Sequence, residues 1–530
     1  MSKMKKILAV LLAAIMTLAM TVTAFAEGET TTKPTAADHA TATVNNVEAT
    51  ATVTAYQIVK ADYNEFGFTG YSSVKRGGAA LVADPLAPTS TEITAIAKDT
   101  TGLKAVTMAK PGGATEGLTS FTADLEPGYW MILVTGNANE VYNPMLVGVY
   151  YSVSGSDNTM ISGPVDANTN WALVTKDAYA KSTEPVIDKT IVGESGKEDV
   201  AIGDTVNFKI QTAIPSYSEQ YTTVVVKVSD ALSQGLTLNQ DSSIAVQVGD
   251  NTVPASDTTY AITKSTTGFE ISFVSAYALE NSGKSIVVTY SAKLNENAGI
   301  NFDANTNTAT LTYTNNPDGD TKEVKDRTYT YTFGIDAKLN GSSEEKWNTT
   351  TEELIKGEKV KEETASETKD VFKALAGATF TLTSKTTPAK VYTATSDADG
   401  ALTFTGLDAG SYTLVETKAP QGYSVNTAEI PVVISAEYNT DGTLKSYSIT
   451  VNGKATSTYE ATYAGDTIVN KTITNIVQGK DNKTSEILNT KLVNLPSTGG
   501  IGTTIFTVAG SLIMIFAAAL LFASRRRISK

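Results

Sequence analysis

Short runs rich in β-branched and apolar residues dominate this chain, and clusters of Gly, Pro and Asn break them up. Where apolar residues recur every second position, alternate side chains share one face of a strand, so such text folds as sheets with a buried side. From Thr41 to about Trp171 the runs include Ala51 to Val59 and Trp130 to Val134. Turn clusters such as Pro111-Gly112-Gly113 and Asn137-Ala138-Asn139 separate them. A Pro/Ser/Thr break from Ser182 to Pro185 precedes a second β unit, Val186 to about Tyr313, which ends at Asn315-Asn316-Pro317-Asp318-Gly319. A third opens in the strand-like Tyr329 to Ile335 and closes near Asn489. The whole is too long for one core, and three units of this size fit all-β tandem sandwiches spanning 27–181, 182–328 and 329–490. Residues 341–370 are rich in Glu, Lys and Thr and show no strand pattern, which predicts a solvated insertion, helical in part at most.

The chain contains no cysteine and one histidine, His39, which lies in a Thr/Ala-rich stretch near the N-terminus. Thiolate metal sites, cysteine nucleophiles and disulfides are excluded together, and a Ser-His-Asp arrangement would have to use that residue. The net charge of −14 argues against nucleic acid as a partner. Asp397-Ala398-Asp399-Gly400 resembles the start of a calcium loop but lacks the closing acid, so a turn is expected there, with no metal. The Gly-rich stretches lack the Lys-Ser/Thr of a phosphate loop, and no cofactor is expected.

The two ends set the address. Lys3, Lys5 and Lys6 precede an apolar run from Ile7 to about Met20, and Ala24-Phe25-Ala26 supplies small residues at cleavage-site spacing. Residues 1–26 therefore read as a secretory signal peptide cut before Glu27. Ile501 to Ser524 is long and apolar enough to span a bilayer, and Arg525, Arg526, Arg527 and Lys530 hold its far end in the cytoplasm. Immediately before the span stands Leu495-Pro496-Ser497-Thr498-Gly499. In this order, residues 491–530 resemble the cell-wall sorting signal of sortase substrates. The resemblance implies acyl transfer: a sortase thiolate attacks the Thr498 carbonyl and Gly499 departs with the anchor. Pro496 pre-bends the peptide and Gly499 leaves room at the scissile bond. Processing would remove seven basic residues and no acidic ones, taking the net charge from −14 to about −21.

The third unit contains Leu375-Ala376-Gly377-Ala378-Thr379-Phe380, Asp399-Gly400, Leu407 and the run Tyr412 through Tyr423. It resembles the immunoglobulin-like Cna-B domain of Gram-positive surface proteins. Gly203 through Phe208, with Ser229-Asp230, resembles the middle domain of pilus backbone proteins. Tyr56-Gln57-Ile58-Val59, with Gly128-Tyr129-Trp130, resembles their N-terminal domain. The resemblance implies that lysine–asparagine isopeptide bonds staple the domains, each formed beside a protonated acid. Burial supplies the chemistry, because desolvation lowers a lysine pKa and raises a carboxyl pKa.

Strand parity shows which residues can be buried. Lys189 is in phase with Ile187 and Ile191, Asp230 with Val224, Val226 and Val228, and Asn307 with Ala309, Leu311 and Tyr313. The resemblance makes Lys189 the nucleophile, Asp230 the acid and Asn307 the acceptor, with Asn315 in reserve. In the third domain Glu416 is in phase with Tyr412 and Leu414 and resembles the family's catalytic glutamate. Asn489 stands where the terminal-strand acceptor lies, with Asn475 as the other candidate. Lys338 is the matching first-strand lysine, although it is out of phase with Phe333 and Ile335 and needs a bulge to turn inward. Lys369 and Lys373 are its substitutes.

Trp171 through Ser182 is similar to the pilin motif, with Ala180 and Ser182 in place of its proline and asparagine. Lys181 is the matching pilin lysine and Lys176 its competitor. The expectation is a secreted, wall-anchored structural protein and not an enzyme: the shaft subunit of a pilus that supports adhesion. Its implied partners are a class C-type pilin sortase, a housekeeping sortase, identical subunits, minor pilins and peptidoglycan. The alternative is a monomeric wall-anchored adhesin or basal pilin, which shares the anchor but needs no Lys181.

Overall fold

The computed structural model describes residues 20–23, 33–153, 159–193, 198–241, 243–335, 354–363, 367–474, 486–492 and 501–527. The chain divides into two compact units, residues 1–332 with 438–443, and residues 333–437 with 444–530.

The first unit opens with one large sheet. Its main strands are β1 (Ala40–Glu48), β2 (Ala51–Asn64), β3 (Gly67–Ser73), β4 (Leu118–Leu125), β5 (Gly128–Gly136), β6 (Met145–Val153) and β7 (Trp171–Tyr179). They lie in the order β3-β2-β5-β6-β7-β1-β4. Alternate residues of these strands, including Val44, Val53, Trp130, Ile132, Val147 and Val149, form the core. A short helix, α1 (Ser90–Ala97), starts at Thr89, whose side chain and that of Glu92 cap each other's backbone amides, and it buries Ile93 and Ile96. β1 carries a bulge at Asn45-Asn46, with Asn46 at a φ of 65°. The bulge turns the Asn45 carbonyl toward the end of β7, where it accepts a hydrogen bond of 2.8 Å from the Ala180 amide.

Two sheets follow in the same unit. One contains β8 (Asp188–Val192), β9 (Thr205–Ala213), β11 (Ala245–Val248) and β14 (Ser285–Leu294), in the order β8-β9-β14-β11. The other is ordered β12-β13-β10-β15-β16, from β10 (Val226–Leu232), β12 (Tyr260–Ser265), β13 (Gly268–Phe273), β15 (Asn305–Thr314) and β16 (Thr321–Thr330). Their inner faces share one core containing Phe208, Ile210, Val228, Phe269, Val288 and Leu311, so the domain is a sandwich. The strand-like run from Tyr329 to Ile335 is divided. Thr330 pairs with Asn305 and ends β16, whereas Phe333–Ile335 pairs with Phe404–Leu407 in the second unit. The apolar pattern continues across that break and therefore does not mark it.

The second unit has a seven-stranded sheet ordered β20-β19-β21-β22-β23-β24-β25. Its strands are β19 (Thr379–Ser384), β20 (Val391–Thr395), β21 (Gly410–Lys418), β22 (Ile430–Tyr438), β23 (Leu444–Val451), β24 (Lys454–Ala464) and β25 (Thr467–Thr474). A three-stranded sheet sets β17 (Ile355–Glu363) between β18 (Thr368–Ala374) and β26 (Glu486–Leu488). Residues 341–370, expected as a solvated insertion, therefore contain β17 and the start of β18. The strand pattern is hidden because two inward positions of β17, Lys356 and Glu358, are charged yet buried. β17 runs antiparallel to β18 and parallel to β26, with Lys356 opposite Ile487 and Gly357 opposite Leu488. Asp397 through Ala401 is a tight turn, in which Asp397 Oδ1 accepts the amides of Asp399 and Ala401. Gly400 adopts a φ of 79° there and its carbonyl accepts the Lys356 amide at 2.8 Å, so this turn buttresses β17. A separate helix, α2 (Ile501–Arg527), includes a 21-residue stretch, Ile505–Arg525, long and apolar enough to cross a membrane.

Candidate functional site

The middle domain encloses a buried polar cluster between its two sheets. Lys189, in phase with Ile187 on β8, points inward and is 4% exposed; Asp230 on β10 and Asn307 on β15 are 5% and 0% exposed. β10 and β15 pair with Asp230 opposite Ala309 and Leu232 opposite Asn307, which sets the acid and the amide side by side on one face. Lys189 Nζ donates to Asp230 Oδ2 and to the Tyr290 hydroxyl. Asn307 Nδ2 donates to the same hydroxyl at 2.9 Å. Aromatic rings wall the cluster: Lys189 Nζ lies 5.0 Å from the centre of Phe208 and 4.9 Å from that of Tyr290.

Water is excluded from this cluster, and the protonation states follow. Burial lowers the Lys189 pKa and the attraction of Asp230 only partly offsets it. Burial raises the Asp230 pKa against the opposing pull of Lys189. Both shifts favour a neutral amine beside a neutral acid. Asp230 Oδ1 and Asn307 Oδ1 are buried acceptors without a donor, and a proton on Asp230 supplies what they lack. A neutral amine, a carboxylic acid and an amide in contact can form a lysine–asparagine amide and release ammonia. Asn315, the reserve acceptor, is buried elsewhere: its amide donates to the Ala138 carbonyl at 2.8 Å and to that of Gly136 at 3.3 Å.

The third domain holds a second cluster. Glu416 on β21 and Asn489, just past β26, are 2% and 8% exposed. Asn489 Nδ2 donates to Glu416 Oε1 at 2.9 Å, and the other carboxylate oxygen accepts the Asn426 amide at 2.6 Å. The lysine that meets them is Lys356, fully buried, with Nζ 2.5 Å from Asn489 Oδ1 and 3.3 Å from Glu416 Oε1. Burial lowers its pKa, opposed by Glu416. Lys356 replaces Lys338 as the candidate here; Lys338 and Asn475 lie outside the described residues. Lys369 and Lys373 are exposed on β18. Sequence reading missed Lys356 because it took β17 for solvated text. Its signal is phase with Leu354 and Val360 in a run otherwise rich in charge.

Among the described residues, Lys189 and Lys356 are the buried lysines, and neither lies in the first domain. Lys181 is exposed two residues after β7, between the buried Ala180 and the half-buried Ser182. Lys176 is half-buried within β7, opposite Gly148 of β6. Leu495, Pro496, Ser497, Thr498 and Gly499 lie outside the described residues. Among the described residues, no group of three or more His, Cys, Asp or Glu side chains could hold a metal ion.

Comparison with known protein families matches four segments of the chain. Residues 37–182 match the T6 antigen Ig-like domain. Residues 202–317 match the Cna-B-like domain of Gram-positive pilin backbone subunit 2. Residues 355–450 match the SpaA prealbumin-like fold domain, beginning where β17 begins. Residues 488–530 match the LPXTG cell wall anchor motif. The trypsin-resistant surface T6 protein of Streptococcus pyogenes serotype M6 is 28% identical over 92% of this chain and 95% of its own. The solved T6 backbone pilin of the same serotype, a three-domain structure, is 21% identical. It covers 87% of this chain and all of its own, with a TM-score of 0.56. The domain matches in this order, followed by the wall-anchor match and the likeness to the T6 protein, support a Gram-positive pilus backbone subunit, secreted and anchored to the cell wall.

Proposed function

We propose that the protein is the shaft subunit of a covalent pilus, in which a class C-type sortase joins Thr498 of one subunit to Lys181 of the next. Identical subunits polymerise, a housekeeping sortase attaches the polymer to peptidoglycan, and minor pilins complete an assembly that supports adhesion. Within each subunit, Lys189 bonds to Asn307 beside Asp230, and Lys356 bonds to Asn489 beside Glu416. Convergence of the two buried lysine–acid–asparagine sets carries this reading. Each places a neutral-leaning amine against an amide where water cannot compete, in a chain with no cysteine to cross-link it otherwise.

Exposure of Lys181 beyond the last paired residue of β7 favours it over Lys176, whose backbone is committed to the sheet. An ordinary exposed lysine is mostly protonated at neutral pH, so the sortase must position and deprotonate the one it uses. Wall extracts boiled in detergent and immunoblotted should show a ladder of high-mass species. Lys181→Ala should collapse the ladder to a wall-anchored monomer, and Lys176→Ala should leave it intact. A ladder lost in Lys176→Ala but kept in Lys181→Ala moves the site. No ladder in the parent strain, with its sortases present, refutes polymerisation and leaves a monomeric wall protein.

A further inference from the structure

The two clusters solve the same chemical problem with different parts. In the third domain one atom, Glu416 Oε1, reaches both Lys356 Nζ and Asn489 Nδ2, the attacking and the departing nitrogen. The side chain facing the lysine there is Phe380, which has no hydroxyl; its ring centre is 5.4 Å from Nζ. In the middle domain the acid is shorter by one methylene. Asp230 Oδ2 takes the lysine and its carboxyl also interacts with Tyr290 and Asn307, while the Tyr290 oxygen hydrogen-bonds both nitrogens.

We infer that Tyr290 is a catalytic residue of the middle-domain bond, relaying a proton from the attacking Lys189 nitrogen to the departing Asn307 nitrogen. This rests on the proposed isopeptide reaction. The Tyr290 ring is held on two sides, stacking on Phe208 at 5.4 Å and meeting Phe269 edge-on at 4.8 Å, so its hydroxyl stays between the two nitrogens. Burial and the nearby carboxylate raise its pKa well above the ordinary tyrosine value, so it holds its proton until a partner offers a replacement.

The steps balance. Lys189 passes one proton to Asp230 and becomes a neutral amine. Its Nζ attacks Asn307 Cγ, forming the Nζ–Cγ bond while Asp230 protonates Oδ1. The excess proton on Nζ moves to the Tyr290 oxygen as the phenol proton moves to Nδ2. The carbonyl re-forms, its proton returns to Asp230, the Cγ–Nδ2 bond breaks and ammonia leaves. Tyr290 and Asp230 end protonated, and no other reactant is consumed.

Third-domain bond formation serves as a clock in the same molecule. The full mature chain is made by cell-free synthesis, quenched in acid at timed intervals, digested, and mapped by mass spectrometry for the Lys189–Asn307 and Lys356–Asn489 cross-linked peptides. Tyr290→Phe keeps the ring packing. It should slow the first cross-link by about a hundredfold or more, the range of general acid–base contributions, and leave the second unchanged. Equal rates in Tyr290→Phe and the parent overturn the relay while the bond itself stands. A parent chain that never forms the first cross-link overturns the bond reading and the relay with it. A chain with 3-fluorotyrosine at position 290 keeps shape and hydroxyl but has a more acidic phenol. Its first cross-link rate should shift relative to the third-domain clock, and an unchanged rate also overturns the relay, because packing alone would give that result.

Discussion

Replacing Glu416 with Gln is the sharpest test of what the third-domain cluster does for the fold. The change keeps side-chain size and removes the acid that touches both Lys356 and Asn489. Without it the bond should not form, and intact mass should rise by one ammonia relative to the parent. The bond closes a loop whose ends are 133 residues apart. On the chain-entropy model used for disulfides, opening such a loop removes about 5 kcal/mol from stability, through the greater freedom of the unfolded chain. For a domain of this size each kcal/mol moves the melting temperature by about 2–4 °C, so one calorimetric transition of the mature protein should fall by roughly 10–20 °C. The middle-domain transition should stay in place, since Lys189, Asp230 and Asn307 are untouched. An unchanged mass in Glu416→Gln refutes the role of the acid. A restored mass with an unmoved transition refutes the entropic argument and leaves the bond without a stabilising effect of this size.

Four further outcomes follow from the same geometry. Lys356→Ala should abolish the third-domain cross-link, whereas Lys369→Ala and Lys373→Ala should leave the cross-link in place; a cross-link surviving in Lys356→Ala would return the assignment to Lys338. Asp230→Asn should leave the middle domain unlinked with Lys189 still buried. Burial depresses the lysine pKa in the folded state, so the unfolded chain binds the extra proton, and stability should rise with pH toward the ordinary lysine value of about 10.4 and fall as pH drops. A flat or inverted pH dependence in denaturant titrations would contradict that assignment. Thr498→Ala should hold the protein in the membrane and out of muramidase-released wall material, and its appearance there would exclude this sorting site.

Strand parity turns Lys189, Asp230 and Asn307 inward, because β8, β10 and β15 carry apolar neighbours in phase with them, and all three are buried; it was the family resemblance that grouped them. The same argument failed on β17. Its inward residues are Lys356 and Glu358, so the reacting group itself erased the alternation that would have revealed the strand. Asn307 and Asn315 share a phase, and only tertiary packing separates them: Asn315 lies beyond the end of β15 and is engaged by the carbonyls of Gly136 and Ala138. Tyr290 is in phase with Val288 and Ala292, and a tyrosine in that place reads as packing. Its second role appears only once both nitrogens are seen at its oxygen.

The parallel pairing of β17 with β26 decides where a pulling force would travel. A tug on the wall-anchored end enters the third domain at Asn489, directly beside β17, the strand that carries Lys356. With Asn489 and Lys356 covalently joined, tension crosses from one strand to the other and skips everything between them. The bypassed segment, if drawn straight, would add about 450 Å of slack. A fibre built from such links would transmit a sudden pull with little lengthening, because the strands enclosed by each closed loop never come under load.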